Sequence, residues 1–170
     1  DYAARINEIY RETNAALFGV HDETTAEKVL PEYRIKNSVF TSGIINKNNP
    51  LPYHFDSGNF TDVWSAMLVF KYQTEGGHLC VPELDARFEL KNNSLFLFDG
   101  QGLLHGVTPI IKNTPDAHRF SIVYYSMRQM WNCQPLSDEL IRIRKLKTER
   151  EERRAAGVDP RNVKKGKVTK

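Results

Sequence analysis

Cysteine is scarce in this 170-residue sequence. Cys80 and Cys133 stand far apart with no Cys-x-x-Cys spacing, so neither a zinc knuckle nor a disulfide scaffold is indicated. Both read as small apolar packing residues, which suits a reducing compartment. Long apolar runs are also missing. No stretch approaches the roughly 20 residues of a membrane span. No charged-then-apolar leader opens the sequence, and because it begins at Asp1 instead of Met, nothing about export follows from its first residues. Internal repeats are absent too.

What is present points to a globular, β-rich chain. The apolar share is 40%, and nine Phe, seven Tyr and two Trp supply bulky core material. The length suits one domain with a real core. The net charge of +3 is unevenly placed: residues 137–170 hold twelve Lys/Arg against six Asp/Glu, whereas residues 1–136 hold twelve against fifteen. A positive tail on a mildly acidic body suits a polyanionic partner, although a helix rich in Lys, Arg and Glu is equally a solvated face.

Residues 1–18 read as an amphipathic helix, with Ile6, Ile9, Tyr10 and Leu17 on one face. Beyond Gly19, the segment from Asp22 to Glu27 offers the cap of a short second helix that must stop before Pro31. One or two strands are expected between Tyr33 and Ile45. Strand-like runs then recur at 66–72, 78–82, 87–90, 94–98, 103–108 and 119–127, separated by turn chemistry such as Lys91-Asn92-Asn93 and Asp99-Gly100-Gln101-Gly102. Gly76-Gly77 reads as a tight turn without a catalytic role. Many short strands predict a mainly β domain with flanking helices, of the double-stranded β-helix (jelly-roll, cupin-like) type. The expected division is a domain over 1–136, a helix over 137–156 with Leu140, Ile141, Ile143 and Leu146 on a docking face, and a basic, disordered tail over 157–170.

The chemistry is expected around Tyr53-His54-Phe55-Asp56. On an extended segment, side chains two residues apart share a face, so His54 and Asp56 converge. A third metal-competent side chain, His105, follows the apolar run 94–98. Two imidazoles and one carboxylate form the facial triad of a non-haem Fe(II) site that keeps other coordination positions open. Arg119, fourteen residues further on, would face that site as a bidentate receptor for a carboxylate. Taken alone, His-x-Asp is more often a surface hydrogen bond or a helix cap than a ligand set; the order His, Asp, His, Arg carries the reading. His21 has no evident partner, and His78 and His118 read as surface imidazoles.

At His54-x-Asp56, Gly76-Gly77, the passage from Phe98-Asp99-Gly100 to His105-Gly106-Val107-Thr108-Pro109, and Arg119-x-Ser121, the chain resembles the Fe(II)/2-oxoglutarate dioxygenases. More narrowly it resembles the TET and JBP group, which oxidises the 5-methyl group of pyrimidines in nucleic acid. The likeness spans roughly residues 42–127. It implies that His54, Asp56 and His105 ligate Fe(II), with 2-oxoglutarate and dioxygen (O2) as cosubstrates, and that Arg119 and Ser121 hold the distal carboxylate of 2-oxoglutarate. It also implies that Asn59 contacts the target base and that Tyr125 stacks on it, while the residues alone leave open whether Tyr124 or Tyr125 faces the core. The chain departs from animal TET enzymes at Met127, where they carry a base-reading His. That leaves thymine possible beside 5-methylcytosine, which is favoured because Asn59 can offer its carbonyl or its amide.

The expected activity is hydroxylation of that methyl group in DNA, on a flipped or single-stranded base. The alternatives are a dioxygenase acting on a protein side chain or small molecule, and a non-catalytic cupin-like binding module. The expected setting is an intracellular monomer, cytoplasmic or nuclear, without a membrane partner.

Overall fold

Good helix formers fill the N-terminal stretch, and no Pro intervenes before Pro31. In the computed structural model, which describes residues 1–157, this stretch forms α1 (Tyr2–Thr13) and α2 (Ala15–Lys28). The expectation of one helix over 1–18 and another capped near Asp22 is therefore corrected. Asn14 is the cause. At φ −150° it leaves helical space, its N–H donates to the Tyr10 carbonyl to close α1, and its side-chain oxygen accepts from Leu17 N–H to open α2. Gly19 lies inside α2, its missing side chain facing open space.

Residues 31–33 form a single 3-10 turn. The strands that follow are β1 (Ser42–Lys47), β2 (Ser65–Tyr72), β3 (Thr74–Gly76), β4 (Leu79–Val81), β5 (Ala86–Phe88), β6 (Ser94–Phe98), β7 (Gly106–Val107), β8 (Ile110–Lys112) and β9 (His118–Tyr125). The run expected over 103–108 shrinks to two residues, because the segment around His105 pairs with His54 through a single bridge. All pairings are antiparallel. A four-stranded sheet has the order β1-β9-β2-β6, and the smaller sheets are β3-β8 and β5-β4-β7. The architecture is the expected double-stranded β-helix with helices laid on its outside.

The two faces of the large sheet are both covered, as the period-2 alternation of its strands dictates. Ala66, Leu68 and Phe70 of β2 and Ile122 and Tyr124 of β9 pack with Ile6, Tyr10, Phe18 and Phe40 in a core beneath the helices. Tyr10 is fully buried, stacks on Trp64 at 5.4 Å and accepts a hydrogen bond from Trp64 N–H. Burial raises its hydroxyl pKa to about 12. Met67, Val69 and Val123 point the other way, into a second core with Leu79, Val81, Leu90 and Phe98. This inner core is the floor of the site.

Behind the helices, His21 is fully buried and does have a partner: its Nε2 lies 2.8 Å from Ser126 Oγ, which itself donates to the Val39 carbonyl. With Ser126 already donating, Nε2–H must be the donor to it. Thr25 adds a second bond to the same carbonyl.

Cys133 opens a second compact unit. Within it α3 spans Leu136–Ala155, and Leu140, Ile141, Ile143 and Leu146 are all exposed. Ion pairs Lys147–Glu151 and Glu149–Arg153 line this helix as a solvated face would have them, while Glu139, which pairs with Arg142, is buried. Apart from Gly157, the tail expected over 157–170 lies outside the described residues. Among the described residues, no helix is long and apolar enough to cross a membrane.

Candidate metal centre and adjoining cavity

Backbone pairing brings the expected metal-competent side chains together. His54 N–H donates to the His105 carbonyl (2.9 Å) and His105 N–H returns the bond (3.0 Å), which sets the two rings 4.4 Å apart. Asp56 N–H donates to the Gly100 carbonyl at 2.8 Å, fixing the third residue against the turn after β6. His54 Nε2 then lies 3.5 Å and His105 Nε2 3.9 Å from Asp56 Oδ1. One ligand atom from each of the three residues falls within 4.8 Å of the others, a spacing that could hold a metal ion.

Each imidazole is oriented for that purpose by its own backbone. His54 Nδ1 is 2.8 Å from the Pro52 carbonyl, and His105 Nδ1 is 2.9 Å from the Leu103 carbonyl. A carbonyl can only accept, so both Nδ1 atoms carry the proton and both Nε2 lone pairs face Asp56. Phe98 packs edge-on against the His105 ring at 5.0 Å. Burial pushes the Asp56 carboxyl above its ordinary pKa, opposed only by the positive charge that His105 and His54 carry when protonated. A bound cation would reverse the balance in favour of the carboxylate.

A cavity of about 460 Å³ opens beside the three residues. Met67, Leu79, Phe98, Val107 and Val123 form its apolar wall. Asn59, Ser121, Tyr125 and Met127 line it as well, with His54, Asp56 and His105. Tyr124 packs with Phe40 in the outer core, so the question between the two tyrosines resolves to Tyr125 facing the cavity.

Asn59 is buried and forms a bridge to Met127. Its amide nitrogen donates to Ser65 Oγ (3.2 Å) and, at 3.4 Å, to Asp56 Oδ2. Both donor hydrogens are thus engaged, which corrects the expectation that Asn59 can present either its carbonyl or its amide: the carbonyl oxygen is the end left for a ligand. Ser65 had no signal in the sequence, because it meets Asn59 only after β2 is folded against the bridge.

Arg119 is 2% exposed, and its Nε and Nη2 have no hydrogen-bond partner. Among the described residues no carboxylate pairs with it. Burial lowers its pKa, yet a guanidinium stays charged, so the protein carries a buried, uncompensated cation here. Arg119 does not itself line the cavity; Ser121, two residues along the same face of β9, does. Asn48 anchors this strand end, its side chain accepting from Arg119 N–H at 2.7 Å.

The remaining histidines fall outside the cluster. His118 stacks on Tyr72. His78, read as a surface imidazole, has its Nδ1 buried without a partner, so that reading is corrected.

Comparison with known proteins places this geometry in context. The model of the Tet_JBP family, described as the oxygenase domain of the 2OGFeDO superfamily, matches residues 1–128. The bifunctional helicase and thymine dioxygenase JBP2 of Leishmania tarentolae is 32% identical over 108 residues, covering 62% of this chain and 10% of that protein. Its counterpart in Trypanosoma brucei brucei is 31% identical over 105 residues, with the same coverage. The chain thus spans about a tenth of the length of these relatives. Among solved structures, NgTET1 in complex with 5mC DNA superposes with a TM-score of 0.64 at 16% identity, over 85% of this chain and 56% of that one.

Proposed function

From the premise that the chain belongs to the Tet_JBP family of oxygenase domains in the 2OGFeDO superfamily, we propose that it hydroxylates the 5-methyl group of a pyrimidine base in DNA. The observation that carries the reading is the convergence of two imidazole lone pairs and a carboxylate at an apolar cavity, on the same inner face as a buried guanidinium that lacks an anion. The donor set suits Fe(II), being two neutral nitrogens and one oxygen with room for further ligands. The orphaned Arg119 suits a dicarboxylate cosubstrate.

His54, Asp56 and His105 would hold Fe(II), and Arg119 with Ser121 would hold the distal carboxylate of 2-oxoglutarate. When bound, these groups supply the oxidation that turns a methyl C–H and O2 into a hydroxymethyl group, with succinate and carbon dioxide released. The chain's own part is placement and dryness. The Pro52 and Leu103 carbonyls keep both imidazoles in the Nδ1–H tautomer, so no proton competes for the Nε2 lone pairs. The apolar wall excludes water from the space where the methyl group must sit.

DNA as the substrate is supported by the relatives, which are named thymine dioxygenases, and by a structural neighbour solved with 5-methylcytosine DNA. A base stacked inside a duplex cannot enter such a cavity, so it would arrive flipped or single-stranded, stacked on Tyr125. The Asn59 carbonyl would accept from the N4 amino group of 5-methylcytosine or from N3–H of thymine. Met127 offers no strong hydrogen bond to either base. With a single acceptor, preference between the two pyrimidines is weak, and the sequence relatives favour thymine as much as the fold neighbour favours 5-methylcytosine. The basic residues after 136 would add attraction to phosphate.

The test is cosubstrate turnover with and without DNA. Succinate release that rises on adding oligonucleotides with 5-methylcytosine or thymine is the expected result. Release that ignores DNA, or responds only to a peptide or small molecule, would overturn the substrate assignment.

A further inference from the structure

We infer that Gly77 and Gly100 are positioning residues, kept free of a side chain so that Arg119 and Asp56 can occupy their places in the site. The inference rests on the reading of those two residues as the cosubstrate anchor and a metal ligand. A Cβ added at Gly100 would lie 2.5 Å from Asp56 Oδ2 and 3.3 Å from its carboxyl carbon. One added at Gly77 would lie 2.6 Å from Arg119 Cδ and 2.7 Å from its Nε. At each glycine at least one contact falls under 3.0 Å, shorter than non-bonded atoms tolerate, so something must move.

In each case the backbone is held in place and the functional side chain is the part able to give. Asp56 N–H is bonded to the Gly100 carbonyl at 2.8 Å, and the turn carrying Gly100 is fixed by Asp99, whose Oδ1 accepts from Gln101 and Gly102 N–H. The Asp56 carboxylate can rotate by giving up the long Asn59 hydrogen bond to its Oδ2, whereas its backbone is not free to retreat. Gly77 N–H is bonded to the Pro109 carbonyl at 3.1 Å, and the Arg119 backbone is clamped to Asn48 in both directions. The guanidinium arm would therefore shift while β9 stays.

Other glycines meet groups that the site does not use: Gly102 would meet Asp99 Oδ2 at 2.3 Å and Gly106 the Tyr53 ring at 3.0 Å. Gly76 shares the left-handed backbone of Gly77 (φ +69° and +66°), but its absent Cβ faces the Pro109 backbone at 2.1 Å, so Gly76 is required for chain closure. Gly19 faces nothing within 4 Å. Gly100 has no positive φ, so a side chain there meets Asp56 without backbone strain. At Gly77 an Asn is a strain-tolerant alternative to Ala, since Asn37, Asn48 and Asn93 already adopt left-handed φ in this fold.

The two glycines serve different halves of the site, and their variants should separate. The experiment is anaerobic calorimetric titration of the whole chain with Fe(II), then of the Fe(II)-loaded chain with 2-oxoglutarate, for wild type, G100A, G77A and G19A, with circular dichroism reporting the fold. Gly100→Ala should weaken Fe(II) binding by about tenfold or more, on the scale of one displaced charged contact, with the fold kept. Gly77→Ala should leave Fe(II) binding in place and weaken 2-oxoglutarate by a similar factor. Gly19→Ala should change neither. Undiminished binding in both site variants, or equal loss of both ligands in each, would overturn this inference alone. A wild-type chain that binds neither ligand would overturn the reading of the site, and this inference with it. If G77A and a G77N variant titrated beside it both fail to fold, or G100A does, that glycine is a structural requirement, and the outcome would overturn its assignment.

Discussion

The two faces of the large sheet are made by the same strands and solve opposite problems. On β9, Ile122 and Tyr124 turn toward the helices, where apolar side chains close over them and Tyr10 finds its hydrogen bond. Arg119, Ser121, Val123 and Tyr125 turn inward, where a cavity is left open and a guanidinium is left unpaired. The outer face is mostly packing, its buried and unpaired His21 Nδ1 aside, whereas the inner face keeps a cavity beside an unpaired guanidinium. Function is expected where a fold leaves polar groups buried and unsatisfied, because a ligand supplies what the chain does not.

The sharpest way to break the contrast is to remove a metal-competent residue from the inner face. His54→Ala, Asp56→Ala or His105→Ala should each lower turnover by more than about 100-fold, since losing even the partner that orients a metal ligand costs about 10–100-fold. The melting temperature should stay near that of wild type. Near-normal activity at limiting Fe(II) in any of the three would remove that residue from the site.

Tyr10→Ala attacks the outer face and should do the reverse. Truncating a fully buried aromatic of this size costs about 3–5 kcal/mol of stability, readable by chemical denaturation, while specific activity per folded molecule is kept. A stable variant with lost activity would show that the two faces are not separable.

Acid should weaken the outer face next. Burial lowers the His21 pKa from 6.5 to about 4, so the unfolded chain binds a proton there more readily than the folded one. Its contribution is complete above about pH 6.5, falls as pH drops toward 4, and amounts to about 3 kcal/mol at most. His21→Gln should flatten that part of the stability profile. An unchanged slope between pH 6.5 and 4 would place the acid sensitivity elsewhere.

The smallest effect is expected at Arg119, the proposed cosubstrate anchor. Arg119→Lys keeps the charge and loses the planar fork, so 2-oxoglutarate affinity should fall by about 1–3 kcal/mol with Fe(II) binding retained. Unchanged affinity in the Fe(II)-loaded protein would place the anchor at another residue.

Much of this was legible in the sequence because it depends on short spacing. His54 and Asp56 share a face by alternation, and the strand runs with their turns specify a jelly roll that places His105 at the cavity and Arg119 on the same inner face. What was not legible depends on atoms meeting across long separations. Asn14 lies inside a run of helical periodicity, and only in the folded chain, where Tyr10 meets Phe18 edge-on across the break, does it end one helix and begin the next. His21 lacked a visible partner because Ser126 lies 105 residues away. The choice between Tyr124 and Tyr125 is a matter of register against β1 and β2, which alternation alone leaves twofold ambiguous. Gly76 and Gly77 look alike in sequence, and only the folded chain distinguishes a backbone neighbour from Arg119.

The central claim is that the inner face oxidises a pyrimidine methyl group, and nucleoside mass spectrometry tests it most directly. DNA containing 5-methylcytosine and DNA containing only thymine at the methylated positions would each be incubated with the chain, Fe(II), ascorbate and 2-oxoglutarate. A hydroxymethyl pyrimidine formed in step with succinate is the predicted result. Brisk succinate release with both bases left unaltered would contradict it.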